Sequence, residues 1–335
     1  MSEEYPYKCS VITPVYNEER NINAFLNMLC EIYDPQIQFV LIDDGSTDKT
    51  FEIISNDSFI RNNKNIRVIS KKNGGAAEAR LVGINNSESN FIVFCDCDDK
   101  LDQFSIKKAL AEFENNKEID LALFDYYVCS TQKEPTRFNY TIQNWPISGY
   151  TAFENTISLW GIHAFGIYRK ETILAGYNAI KNIAGGLANN VNDDELIARM
   201  AMLNARKITL SEGKYYYAEN TLSTTRRVNR NLFKMAFTAQ RLADIITDTP
   251  SLSLLIPAVH LYMIRVATNL TIKRSLWRKK INNKSEWDLA VSSLIQKVKL
   301  KNIIEITKHN KKLLTWSLFK FMVLKAIYGF RNVKP

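Results

Sequence analysis

Histidine is nearly missing from this chain: there are three in 335 residues, at positions 163, 260 and 309. They stand apart, form neither an HExxH pair nor a triad-like group, and read as structural residues. Cys9, Cys30, Cys95, Cys97 and Cys129 are odd in number and make no CxxC pair, so zinc and dithiol redox chemistry lose their usual signature and reduced, mostly buried thiols are expected. No GxGxxG and no GxxxxGK[ST] occurs, which removes the support for a dinucleotide-binding or P-loop protein. No basic segment followed by an apolar run opens the chain, so no secretory leader is expected and the site is expected to face the cytoplasm. What is there is ordinary globular composition, 46% hydrophobic and 24% charged, with enough length for one large core and an appendage.

Acidic residues become scarce towards the end. Residues 226–335 hold 22 Lys and Arg against 5 Asp and Glu, a net of +17, whereas residues 1–225 hold 22 against 30, a net of −8. Such a basic region suits nucleic acid or an anionic membrane surface, and charge alone does not choose. Residues 313–328 add leucines, Trp316, Phe319 and Phe321 to the lysines. The stretch is too short and too interrupted by Lys320 and Lys325 for a span. A peripheral contact with the inner face of the cell membrane is therefore expected rather than nucleic acid. Packing on a sister subunit, as in a homo-oligomer, is the alternative.

The first 125 residues alternate strand-like runs at 9–13, 38–43, 66–70 and 91–96 with helical patterns at 18–32, 48–55 and 75–85. That rhythm predicts βαβ units and a doubly wound, mainly parallel α/β sheet. Ligands of such sheets bind beyond the carboxyl ends of the strands. Three of those ends are polar: Pro14-Val15-Tyr16-Asn17, Asp43-Asp44-Gly45-Ser46 and Asp96-Cys97-Asp98-Asp99. A further strand is expected near 121–127, then an irregular linker over 130–150, a glycine-bearing turn at 185–190, and a helix at 193–204 with Asn192 as N-cap. Beyond Arg226 the pattern is helical and low in glycine. The expected division is an α/β domain at 1–225, in two halves that meet at about residue 130, followed by a helical region at 226–335.

Asp96, Asp98 and Asp99 end an apolar strand, and like charges so close repel one another. Mg²⁺ or Mn²⁺ would relieve that repulsion and complete its shell with water and phosphate oxygens. A solvated acidic turn is the bland alternative, and a DxDxT phosphatase is disfavoured because Lys100 stands where the threonine belongs. In Ile42-Asp43-Asp44-Gly45-Ser46-Thr47-Asp48, Gly45 permits a tight turn and a free carboxylate can accept the imide hydrogen of a uracil or thymine ring; a purely structural turn has the same sequence.

Taken together, Val11-Ile12-Thr13-Pro14-Val15-Tyr16-Asn17-Glu18, residues 42–48, Asn73-Gly74-Gly75 with Arg80, and Asp96-Cys97-Asp98-Asp99 stand in the order and spacing of glycosyltransferase family 2, and the chain resembles that family, of the bacterial surface-polysaccharide type, over about residues 7–225. The resemblance implies a GT-A fold and an inverting, metal-dependent transfer of a sugar from a nucleotide diphosphate, most simply UDP, to a hydroxyl of a glycan or lipid-linked glycan. It implies that Pro14, Tyr16, Asn17 and Glu18 border the nucleoside, that Asp44 binds the base with Asp43 beside it, and that Arg80 and Asp98 lie at the diphosphate. Asp99, Asp98 and Asp96 form the implied metal site. The family's base usually follows a glutamate, with leucine three and arginine six residues on. Asp193, Leu196 and Arg199 keep that spacing, but Asn192 replaces the glutamate and Asp194 is a rival. Acidic residues here also suit a helix N-terminus for purely structural reasons.

Trp160 and His163 fall where the family places its acceptor, although core packing explains such residues equally. Nothing resembles the QxxRW motif of the family's processive synthases, so one sugar per encounter is expected. Two other readings stay open. A sugar nucleotidyltransferase would need a glycine-rich basic loop after the first strand. An inert scaffold would work through the basic region alone.

Overall fold

A computed structural model describes residues 5–101, 104–130, 133–157, 160–181, 191–218 and 228–329. The turn expected at 185–190 lies outside them. The chain forms two compact units: Met1–Phe153 with Gly161–Asn189 and Ile197–Asn220, and Glu154–Trp160 with Asn190–Leu196 and Thr221–Pro335.

In the first unit the described strands are β1 (Cys9–Val15), β2 (Ile37–Asp43), β3 (Ile66–Ser70), β4 (Phe91–Phe94), β5 (Lys100–Leu101), β6 (Ile119–Ser130), β7 (Lys133–Arg137), β8 (Ile147–Ser148), β9 (Gly166–Arg169) and β10 (Lys207–Ala218). They form one sheet in the order β3-β2-β1-β4-β9-β6-β10-β5, with β7 on β6 and β8 on β10. The long ladders β1 with β2, β2 with β3 and β6 with β10 are parallel, whereas β9 runs antiparallel to both β4 and β6. All seven residues of β2 are buried, as a strand covered on both faces requires. Its one uncharged polar side chain is satisfied: Gln38 Oε1 accepts from Ser10 Oγ at 2.6 Å and from the Glu88 N–H at 2.8 Å. The helix Ile22–Glu31 seals one face by burying Ile22, Phe25, Leu26 and Leu29, an i, i+3, i+4, i+7 stripe, with Met28 beside it.

Register sets the site. β1 is central, with Val15 beside Asp43 of β2 and Ile12 beside Phe94 of β4. Three polar strand ends therefore emerge at one edge, as the sequence pattern implies. The stretch 130–150 is not a plain linker: it contains β7, β8 and the start of the helix Gly149–Ile157.

The second unit is helical, with Met235–Asp248, Ile256–Leu276, Lys284–Lys297, Leu300–Thr307 and Lys311–Tyr328. Trp287 is fully buried and donates its indole N–H to the Arg230 carbonyl at 3.1 Å; truncating such a residue to alanine costs about 3–5 kcal/mol. Pro250–Leu276 is long and apolar enough to cross a membrane, but half of its most apolar window is buried. Its helix Ile256–Leu276 packs against the four other helices, so it is the core of this unit.

Candidate functional site

The loop after β2 turns at Gly45, where φ is +74° and an added Cβ would sit 2.8 Å from the Asn73 nitrogen, so only glycine fits. That turn brings residues 71–75 onto Asp44. The buried Asp44 carboxylate accepts from Lys71 Nζ at 2.8 Å, the Gly74 N–H at 2.9 Å and the Gly75 N–H at 2.7 Å. Asn73 Nδ2 donates to the Asp44 carbonyl at 2.9 Å. Burial pulls the Lys71 ammonium down, but Asp44 and Glu78 outweigh it and hold it above the ordinary lysine value. Asp43 faces the other way, accepting from Ser70 Oγ and the Ser46 N–H.

After β1, Asn17 takes a left-handed backbone with φ +55°. Its Oδ1 accepts from the Thr47 N–H at 2.8 Å and its own N–H donates to Ser46 Oγ at 3.0 Å, tying the first strand end to the second. Pro14 is half-buried and Tyr16 exposed, which leaves the phenol on the surface. Glu18 is half-buried, and its carboxyl is raised by burial first and then by Asp98, Asp48 and Asp96, with Asn21 opposing.

At the end of β4 the three carboxylates separate by environment. Asp96 pairs with Arg80 at 2.6 Å, and that guanidinium lies over the Phe94 ring. Asp98 is half-buried. Asp99 is buried, accepting from Tyr215 Oη at 2.6 Å and from the Ala218 N–H at 3.0 Å. Burial pushes its carboxyl up to about 8, Asp96 adds to that, and the hydrogen bonds from Tyr215 and Ala218 oppose it.

The remaining expected residues lie on other elements. His163 is buried among Tyr126, Phe138, Tyr140 and Phe165. Its Nδ1 accepts from the Phe165 N–H and its Nε2 lies 2.8 Å from Tyr140 Oη, the surroundings of a core residue, and burial pushes its pKa down to about 3. Trp160 is half-buried and belongs to the second unit. The helix Asp193–Asn204 begins as expected, and Asn192 before it has φ +71° and donates its amide to Glu195 Oε1. Within the second unit Asp193 is buried, 3.6 Å from Arg241 and 3.4 Å from Thr238 Oγ1, whereas Asp194 is exposed.

The family model for glycosyl transferase family 2 matches residues 10–174, which contain every strand end just described. Over those residues the chain is a member of glycosyl transferase family 2. Among curated relatives, the poly(ribitol-phosphate) beta-N-acetylglucosaminyltransferase TarS of Staphylococcus aureus is 29% identical over 221 residues, covering 63% of this chain and 35% of TarS. The minor teichoic acid biosynthesis protein GgaB of Bacillus subtilis is 25% identical over 256 residues, covering 73% of this chain and 27% of GgaB. The chain thus spans about a third of the length of these relatives. Crystal structures of S. aureus TarS 1–349 in complex with UDP-GlcNAc and with UDP align at TM-score 0.66, with 21% and 20% identity, over 96% of this chain and 90% of theirs. That likeness shows the expected GT-A fold with its helical C-terminal region.

For a family 2 chain, two partners of the strand-end acids went unread in sequence. Lys71 directly follows β3, a fourth strand end whose polar residues carry the same signal as the other three. Tyr215 lies on β10, and its bond to Asp99 spans 116 positions.

Among the described residues no three His, Cys, Asp or Glu side chains converge on one point as a metal cage. Mg²⁺ and Mn²⁺ do not need one, since one or two carboxylates suffice when phosphates and waters supply the rest. The donor set fits such a cation. The nearby bases Lys71 and Arg80 are already in ion pairs with Asp44, Glu78 and Asp96, so the edge occupied by Glu18, Asp98 and Asp99 is acidic.

Proposed function

We propose that this protein moves a single sugar from a nucleotide diphosphate, in the first instance UDP, to a hydroxyl of a glycan or lipid-linked glycan, with inversion and with Mn²⁺ or Mg²⁺ as cofactor. The observation that carries this reading is the gathering of the family 2 motif residues at one sheet edge, with Asp44, Asp96 and Asp99 each held by specific donors. The TarS structures with UDP-GlcNAc and UDP support the choice of nucleotide.

In this reading Pro14, Tyr16 and Asn17 border the nucleoside. Asp44 Oδ2, which takes one donor from Gly75, retains a lone pair for the imide N–H of the base. Arg80, oriented by Asp96 and Phe94, lies at the diphosphate with Asp98 and Glu18. Asp98 and Asp99 would hold the cation, with Asp96 beside them in its pair with Arg80, and the cation would supply charge to neutralise the departing diphosphate.

Inversion is one in-line displacement. The acceptor oxygen forms a bond to the anomeric carbon while the bond to the diphosphate oxygen breaks, and that oxygen leaves with the electron pair. The hydroxyl proton passes to a carboxylate, a step that contributes about 10²–10⁴ in rate. Family spacing assigns the carboxylate to Asp193; its burial against Arg241 and the exposure of its neighbour favour Asp194 as a second reading.

Incubation with Mn²⁺ and a panel of UDP-, dTDP- and GDP-sugars tests the proposal. Slow donor hydrolysis confined to one nucleotide and abolished by EDTA is expected. Undiminished hydrolysis in EDTA would remove the metal. Release of pyrophosphate from a nucleoside triphosphate and a sugar phosphate would show a nucleotidyltransferase instead.

A further inference from the structure

The helix Lys311–Tyr328 buries Ser317, Phe321, Leu324 and Tyr328 within the helical unit. Trp316, Phe319, Met322, Val323 and Ile327 are exposed, between 39% and 60% of each. At 100° per residue these five fall in an arc of about 140° opposite the buried four. Lys320 lies just beyond one border of the arc, Lys311 and Lys325 lie beyond the other, and Lys312, one turn before Trp316, falls within it at the N-terminal end of the helix. Residues 299–328 hold seven lysines and one acid, Glu305.

We propose that this face docks on an anionic lipid surface. The helix would lie in the plane of the interface, with its apolar arc at the level where headgroups meet acyl chains and the flanking lysine stems reaching outward. Two features select lipid over other occupants. A second copy using the same face would set Lys311, Lys312, Lys320 and Lys325 of this helix against their own copies, with like charges opposed. A nucleic acid would satisfy the lysines and leave the apolar arc in water. A bilayer containing anionic lipid takes both, and contiguous exposed apolar surface of this kind marks interaction sites.

The test is flotation of the full chain with vesicles of phosphatidylcholine, with or without phosphatidylglycerol. Wild type is expected to float with the anionic vesicles and at least about fivefold less with phosphatidylcholine alone or in high salt. Phe319→Ser with Met322→Ser, both at exposed positions that the fold does not need, is expected to reduce flotation about tenfold or more. Emission of wild type is expected to shift to the blue on adding anionic vesicles, and the shift to vanish in Trp316→Phe. Equal flotation of wild type and the double variant, or none by either, overturns the proposal. So does a concentration-dependent dimer that the double variant dissociates while neither form floats.

Discussion

Asp44 offers the sharpest quantitative test of how the first unit is held together. Its carboxylate is nearly inaccessible, the Lys71 side chain is 15% exposed, and two backbone N–H groups point at the same two oxygens. Asp44→Ala strands all three donors at once. Losing one partner of a buried pair costs about 3–5 kcal/mol, and two orphaned amides would add more if residues 71–75 could not relax into water. Because those residues form a part-buried loop, the lower range is expected, about 3–5 kcal/mol in total. Asp44→Asn keeps one acceptor but turns an NH₂ towards a donor, so about half that loss is expected. For a unit of this size each kcal/mol moves the melting temperature by about 2–4 °C. The alanine variant is thus expected to melt roughly 6–20 °C lower, with UDP binding lost alongside. Urea unfolding followed by circular dichroism, with calorimetric titration of UDP, measures both. An alanine variant within about 1 kcal/mol of wild type would show that the three hydrogen bonds do not hold the loop.

Asp99 sets a pH dependence. With its carboxyl raised to about 8, a cation must displace its proton below that pH, so Mn²⁺ affinity is expected to rise with pH and to level off above about 8. Calorimetry in buffers of different ionisation heat should find close to one proton released per Mn²⁺ at pH 7 and almost none at pH 9; equal release at both would exclude Asp99. For the base, Asp193→Asn or Asp194→Asn is expected to lower turnover at least about a hundredfold while leaving donor affinity nearly unchanged, and whichever variant shows that split names the residue.

The first four strands were legible because they are runs of buried apolar residues that stop at polar ones. β1 to β4 lie within two residues of their expected limits, and β3 matches to the residue. β7 was not legible, since all five of its residues are exposed and Pro135 stands inside it; proline is tolerated there because β7 pairs with β6 alone. β9 has four residues, too few for a periodic signal. The acids of the site could be named from sequence, but not their partners, since Lys71 and Tyr215 reach Asp44 and Asp99 through folding rather than through spacing.

Asp99 also carries a timing consequence. One of its oxygens waits for an amide 119 positions further along the chain. At the usual pace of translation that stretch takes roughly 6–24 s to emerge from the ribosome. During that interval the sheet edge at β1, β2 and β4 can assemble while the last acid of its cluster is still unclamped. A nascent chain stalled before Ala218 therefore has these three strand ends but leaves that Asp99 oxygen without its backbone donor.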